Sequence, residues 1–287
     1  MKILNYGSLN IDYVYQVPHF VQAKQTLSST ALTIGAGGKG LNQSIALARA
    51  GANVLHVGKI GKDGLFMRDL LEQDGIDVSH IAISEGVSGH AIIQVDTTGQ
   101  NCILLHGGAN LEIDDAQQDT ALADCAADDV LLLQCEVAGG AQMMRKAAAK
   151  GMRIALNPSP VNDILASLPL ELVHWLILNE VEGEALSASA DPQTICRVLR
   201  DKYPQMNVLL TLGSEGALYY DGETFHNVPA LKVNAVDTTA AGDTFTGYFL
   251  SRTLQTGDVS AALDAATRAA AAAVTVMGAA NSIPRLD

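Results

Sequence analysis

Residues 235–245 read Ala-Val-Asp-Thr-Thr-Ala-Ala-Gly-Asp-Thr-Phe, and their types and order suit one kind of chemistry. Small residues at Ala240, Ala241 and Gly242 precede Asp243, and an apolar helical pattern (Phe245, Tyr248, Phe249) follows. With no bulky side chains in the way, backbone N–H groups converge at the start of such a helix, where unpaired amides and the helix dipole attract anions. A carboxylate in an anion site repels the ligand unless it has a separate task. Asp243 has one if it takes a proton from a hydroxyl that attacks a phosphoryl group held by those amides. The same residues also read as an ordinary helix start, with Asp243 a favoured capping residue among small neighbours.

Two further carboxylates stand where a polar ligand would be met. Asn10 and Asp12 follow the first apolar run, and a carboxylate there can accept two hydrogen bonds from vicinal hydroxyls, a natural way to hold a polyol. Glu136 follows the apolar run Val130–Cys135 and reaches the same rim. Each of these is equally a surface polar residue at a strand end. The segment Gly35-Ala-Gly37-Gly-Lys-Gly40 satisfies the spacing G-x-G-x-x-G, yet it does not directly follow the first strand, as a dinucleotide fingerprint must. It is not a phosphate-binding loop of the Walker type either, because Gly40 stands after Lys39 where Ser or Thr should bind magnesium.

These residues need a scaffold, and the hydrophobic pattern supplies one. Apolar runs that read as buried strands recur at 2–7, 53–58, 129–135, 153–157, 175–179 and 207–212. Amphipathic helical patterns lie between them and often end in Gly, as at Gly51, Gly75 and Gly151. Alternation of this kind predicts an α/β fold with a mostly parallel sheet covered on both faces. Two stretches break it: strand-like runs Ile11–Val17 and Leu27–Ile34, and a hairpin of His90–Val95 with Asn101–His106 turning on Asp96-Thr97-Thr98-Gly99. Having no helices of their own, they predict a small β-sheet lid, residues 11–34 and 89–106, over a core of 1–10, 35–88 and 107–287.

Composition narrows the function. A formal charge of −13 over 287 residues argues against a nucleic-acid or anionic-membrane partner. Cys102, Cys125, Cys135 and Cys196 show no Cys-x-x-Cys spacing and read as free thiols of a reducing compartment. The opening Met-Lys-Ile-Leu-Asn-Tyr-Gly goes straight into a strand pattern without a signal-peptide profile, and the Ala run near 269–273 is too short to span a bilayer. The expectation is a soluble, cytoplasmic protein.

Asp-Thr-Thr-Ala-Ala-Gly-Asp-Thr-Phe-Thr-Gly at 237–247 closely resembles the C-terminal signature of the ribokinase family, also called the PfkB family of carbohydrate kinases. Gly-Gly-Lys-Gly-Leu-Asn-Gln-Ser-Ile-Ala-Leu-Ala-Arg-Ala-Gly at 37–51 resembles its N-terminal signature, and the resemblance runs from Gly7 to Pro284. It implies a ribokinase-like three-layer α/β/α fold with a β-sheet lid that also makes a dimer contact in many members. It implies an ATP-dependent sugar kinase with Asp243 as base and an anion hole at Ala240, Ala241 and Gly242. Sugar contacts would come from Asn10, Asp12, Gly38, Lys39, Asn42, Glu136 and Asp243. The nucleotide would lie along Asn179, Thr211, Gly213, Ser214, Gly216 and Gly242, with Glu182 orienting the water shell of Mg2+. Asp237, Thr239, Ala273, Val276, Gly278 and Ser282 match positions that coordinate a monovalent cation, K+ as activator. D-ribose is the first candidate substrate. A nucleoside is the alternative within the family, because Tyr13 offers a ring to a base, and a non-catalytic sugar sensor is the alternative outside it. Departures from the pattern at Lys24-Gln25-Thr26, Leu41, Tyr13 and Tyr15 bear on the sugar rather than on phosphoryl transfer, and those at Met277 and Asn281 bear on the monovalent cation.

Overall fold

The computed structural model describes residues 1–285. Thirteen strands are arranged in two sheets: β1 (Lys2–Tyr6), β2 (Asn10–Gln16), β3 (Ala31–Gly37), β4 (Asn53–Gly61), β5 (Asp77–Ser84), β6 (Gly89–Val95), β7 (Asn101–His106), β8 (Val130–Gln134), β9 (Arg153–Asn157), β10 (Trp175–Asn179), β11 (Asn207–Thr211), β12 (Ala217–Tyr220) and β13 (Phe225–Val228). The helices are α1 (Lys39–Arg49), α2 (Leu65–Gln73), α3 (Asp115–Ala123), α4 (Gly140–Ala149), α5 (Asp163–Ser167), α6 (Glu180–Ser187), α7 (Pro192–Lys202), α8 (Ala241–Thr256) and α9 (Val259–Ala273).

The nine-stranded sheet runs β13-β12-β11-β10-β9-β8-β1-β4-β5, parallel throughout except at β11–β12 and β12–β13. Its middle strands are apolar end to end because helices cover both faces. One face buries Leu41, Ile45, Met67, Phe249 and Leu263 from α1, α2, α8 and α9. The other buries Leu122, Met143, Met144 and Leu199 from α3, α4 and α7. These are the three layers expected. β5, β12 and β13 were not anticipated: β5 lies at the sheet edge with most of its residues exposed or half-buried, and the last two have four residues each.

The second sheet runs β3-β2-β6-β7. Its hairpin falls where expected, with Asp96 Oδ1 accepting from the amides of Thr98 and Gln100. Strand β3 lies later than the run Leu27–Ile34, because pairing with β2 continues to Asn10 opposite Gly37. Glycine lets it do so: a Cβ on Gly37 would stand 2.0 Å from Asp12 Oδ2. Gly35–Gly37 therefore belong to the lid strand rather than to the core segment that was expected to begin at residue 35.

The two helices that matter most for the site touch without side chains between them. A Cβ on Gly247 would fall 2.4 Å from Ala46 Cβ and 2.8 Å from the Leu47 amide nitrogen. Residues four apart stack on one helix face. Gly247 against Ala46 thus brings Asp243, one turn earlier on α8, to Asn42, one turn earlier on α1. Gly40 acts likewise at the start of α1, where a Cβ would lie 2.3 Å from the Ser8 amide nitrogen. We predict that Gly247→Ala costs about 1–3 kcal/mol of stability through overpacking and also lowers kcat. Denaturant midpoints and turnover check this against Gly35→Ala, which meets nothing within 4 Å and should be close to neutral.

Candidate active site

The site lies at the C-terminal rim of the sheet, where α1 and α8 begin. Both helices start from residues with positive φ, Gly38 (93°) and Ala240 (61°), and neither has a side-chain cap. A non-glycine residue in that region costs about 1–2 kcal/mol, and here it turns the chain into α8 with no side chain capping its first turn. The Ala241 N–H turns back to the Thr238 carbonyl at 3.2 Å. Asp243 is buried in the first turn, and its Oδ2 accepts from Asn42 Nδ2 at 3.0 Å. Its Oδ1 accepts from Gln43 Nε2 at 2.8 Å, a partner that the sequence did not single out. Asn42 Oδ1 is buried and has no hydrogen-bond partner among the described residues.

Around Asp243 the structure assembles most of the expected sugar group. Lys39 opens α1, and its main-chain N–H donates to Glu136 Oε2 at 3.1 Å, which also accepts from Ser8 Oγ. Burial pulls the Lys39 ammonium down, but Asp243, Glu136 and Glu182 outweigh it and leave its pKa above the usual lysine value. Burial pushes the Glu136 carboxyl up, against the opposing pull of Lys39 and Ser8. Asn10 starts β2 with Oδ1 accepting from Asn110 Nδ2 at 2.8 Å, while Asn110 Oδ1 accepts the Leu9 amide at 3.0 Å. Buried Asn110, also missed in the sequence, fixes which end of Asn10 faces outward. Asp12 extends from the same strand.

The nucleotide and metal groups divide. Asn179 and Glu182 form a capping box on α6: the Glu182 amide donates to Asn179 Oδ1 at 3.0 Å, and both Glu182 oxygens accept from Asn179. The spacing Asn-x-x-Glu is therefore the ordinary helix start and, at the same time, part of a cavity wall. That cavity, about 250 Å³, is lined by Lys39, Asn179, Glu182, Thr238, Gly242 and Asp243 among others. A second, mostly apolar cavity of about 360 Å³ meets it at Thr211, Thr238 and Gly242 and runs past Gly213, Ser214, Gly216 and Phe245. Gly216 (φ 108°) packs so closely on the chain after β13 that a Cβ would lie 2.0 Å from the Val228 carbonyl oxygen.

The remaining group sits beside α8. Asp237 Oδ1 accepts from the Thr239 amide and hydroxyl at 2.9 and 2.6 Å, and Oδ2 accepts the Gly278 amide at 2.8 Å. Burial raises the Asp237 pKa, but these bonds outweigh it and hold the carboxyl below its ordinary value. The carboxylate thus ties the loop before α8 to the turn after α9. Ala273 ends α9, Val276 is exposed, and Ser282 is buried with its hydroxyl on the Ala279 carbonyl. No group of three or more His, Cys, Asp or Glu suited to hold a metal occurs among the described residues.

Asp12 carries the clearest pH signature. Burial, then the charge of Glu136, raises its pKa from 3.8 to about 7. The folded state therefore holds this proton more tightly than the unfolded chain. The stability this contributes is complete below about pH 3.8 and is lost as pH rises through about 7. We predict that Asp12→Asn, which cannot ionise, gains on the wild type in melting temperature over that window. Parallel melts of the ligand-free proteins at pH 4.5 and pH 8 measure it, and equal differences at both pH values would contradict the burial of this charge.

Comparison with known proteins agrees along the whole chain. Residues 1–286 match the model of the pfkB family carbohydrate kinases. The chain is 37% identical to a ribokinase of Haemophilus influenzae over 97% of its own length and 94% of the relative's. The crystal structure of a Cryptococcus neoformans ribokinase in complex with ADP superposes with a TM-score of 0.87 at 34% identity, covering 99% of this chain and 96% of that one. An Arabidopsis thaliana ribokinase complexed with ribose and ATP gives 0.85 at 26% identity, covering 98% and 95%. With both signatures in one cleft and a family match from end to end, the protein belongs to the pfkB family of carbohydrate kinases, phosphotransferases with an alcohol group as acceptor.

Proposed function

We propose that the protein transfers the γ-phosphate of ATP to the hydroxymethyl group of a free sugar, with D-ribose the first candidate and Asp243 as general base. The observation that carries this is the buried Asp243 carboxylate in the first turn of α8, beside an uncapped helix start that opens onto a polar cavity. The sugar lies over Gly38 against Asn10, Asp12, Lys39, Asn42 and Glu136. Asn42 Oδ1, buried and unpaired, accepts one of its hydroxyls. The adenine fills the apolar cavity by Gly213–Gly216 and the triphosphate the polar one. In the transferring state the Ala240–Gly242 backbone meets the phosphoryl oxygens as charge develops, the Ala241 N–H leaving the Thr238 carbonyl to do so. Asp243 takes the hydroxyl proton as that oxygen attacks.

Oxygen donors with retained waters suit Mg2+, which Asn179 and Glu182 would orient and which, when bound, neutralises charge on the phosphates. For K+, carbonyls of the turn 273–278 with Ser282 would be the donors, and Asp237 with Thr239 joins that turn to the loop before α8. Two copies would meet through the lid, whose strand β7 exposes Ile103, Leu104 and Leu105. Residues 10–37 and 89–106 act as that lid over the rest of the chain. The Tyr13 ring packs on the core and stands edge-on to His90 at 6.0 Å, which favours a sugar over a stacked nucleobase.

A coupled assay with ATP and Mg2+ over pentoses, 2-deoxyribose, hexoses and nucleosides tests the substrate, with ribose expected to give the highest kcat/KM. Asp243→Asn should fold normally and lose about 10²–10⁴-fold in kcat; a variant keeping more than a tenth of the rate removes the base assignment. Replacing a bulky organic cation by K+ at fixed ionic strength should raise turnover at saturating ATP, and equal rates would remove the activating ion while leaving the kinase.

A further inference from the structure

Gln43 is fully buried one residue beyond Asn42, and every hydrogen-bonding group it has is used. Nε2 donates to Asp243 Oδ1 at 2.8 Å and to Asn157 Oδ1 at 3.0 Å, and Oε1 accepts from Gln134 Nε2 at 2.7 Å. The orientation of this amide is not free. Asn157 Nδ2 donates to the Ile177 carbonyl of β10 at 2.8 Å, so Asn157 must present its oxygen to Gln43. On the other side Gln134 Nε2 also donates to Asn5 Oδ1 at 3.1 Å, and Asn5 Nδ2 donates to the Gly40 carbonyl and to Ser44 Oγ, both at 2.8 Å. Ser44 Oγ lies 2.7 Å from Nδ1 of His56. Burial drives the His56 pKa down to about 4, so the ring is neutral and can accept there. Main-chain carbonyls at both ends, Ile177 and Gly40, set the direction of every amide between them, and the direction they set points an N–H at Asp243.

Resting on the assignment of Asp243 as base, we propose that Gln43 is its positioning residue, holding Oδ1 so that Oδ2 is the oxygen that receives the substrate proton. Oδ2 keeps a lone pair beside the Asn42 bond, and Asn42, with its buried Oδ1 unpaired among the described residues, belongs to the sugar group proposed above. An amide donor also favours the ionised carboxylate, the form a base needs. The other charges that face it are Lys39 of α1, Glu136 after β8 and Glu182 of α6, and they stay in place when Gln43 is changed.

The test substitutes Gln43→Met, similar in volume but without the donor. A thermal melt establishes folding, and kcat for the preferred sugar is followed from pH 5 to 9. The expected result is a kcat lower by about 10-fold or more, a sugar KM within about twofold, and an acidic limb displaced upward by about one pH unit. In the Asp243→Asn background the same substitution should cost almost nothing further, because it acts through the carboxylate. Should Gln43→Met not fold, Gln134→Met removes the donor to Gln43 Oε1 and leaves Asn157 alone to hold the amide, and a smaller upward displacement of the limb is expected. A folded variant with an unmoved limb and additive losses would overturn the positioning role. If Asp243→Asn alone stays active, it is the base assignment that falls.

Discussion

The site depends on the near approach of α1 to α8, which the absence of a side chain at Gly247 permits. With any other residue there the helices must part, since a Cβ would come within 2.4 Å of the Ala46 methyl. The contact fixes more than a distance. Residues 243 and 247 share a face of α8, and residues 42 and 46 share a face of α1, so the glycine contact aligns the carboxylate with the amides one turn away. Asp243 then meets two amide donors from consecutive residues of α1, Asn42 and Gln43, one on each oxygen. Gly40 seats the start of α1 on the turn after β1 in the same way. Backbone packing at two glycines thus sets geometry that the side chains of the cleft cannot set for themselves, being short, polar and on separate segments.

Electrostatics then divides the cleft. Asp12, Glu136 and Asp243 would repel one another in a closed apolar pocket, and the raised pKa values of Asp12 and Glu136 show that burial and mutual charge have that effect. A neutral polyol tolerates such walls, because carboxylates accept hydrogen bonds from hydroxyls and need no counter-charge. An anion does not. The part of the cleft beyond Lys39 correspondingly offers main-chain amides at an uncapped helix start, while Asp114, Asn162, Asn179, Asp191 and Asp258 cap the starts of α3, α5, α6, α7 and α9. Lys39 stands between the two halves, its ammonium held charged by the carboxylates around it.

What was legible in the chain follows from what each element buries. β1, β8, β9, β10 and β11 are covered on both faces, so they show as unbroken apolar runs with ends readable to within a residue. β5 and the β12–β13 hairpin lie at the sheet edges, where half-exposure and short length erase the signal. Gly35-Ala36-Gly37 looked like a break in the lid, yet the strand runs through them, and at Gly37 the Asp12 carboxylate occupies the room a side chain would take. Among the site residues, those with a local pattern were readable and those acting through distant partners were not. Gln43 stands in an amphipathic helix where a glutamine reads as a surface residue, and its partners Gln134 and Asn157 come from other strands. Asn110 likewise reveals its role only once β2 and the segment after β7 are side by side.

The lid and the core are joined by that asparagine, and the join has a consequence for how a ligand is read. Asn110 accepts from the Leu9 amide and donates to Asn10 Oδ1, so the first residue of the lid strand is oriented by a residue that follows the lid in the chain. Gly89 must be bare for this to happen, since a Cβ there would lie 2.1 Å from Asn110 Nδ2 and 2.3 Å from Asn10 Oδ1. The Asn10 oxygen being committed inward, its amide N–H groups are the side left for the cleft, opposite the acceptors Asp12 and Glu136. Donors and acceptors therefore face one volume from both the lid and the core. A hydroxyl, which donates and accepts at once, is the group best matched to such a pairing, whereas an apolar or purely accepting surface would leave one partner unpaired at a cost of about 1–3 kcal/mol. Asn10 and Asn110, at the join of lid and core, thus contribute to a volume whose groups match a polyhydroxylated ligand.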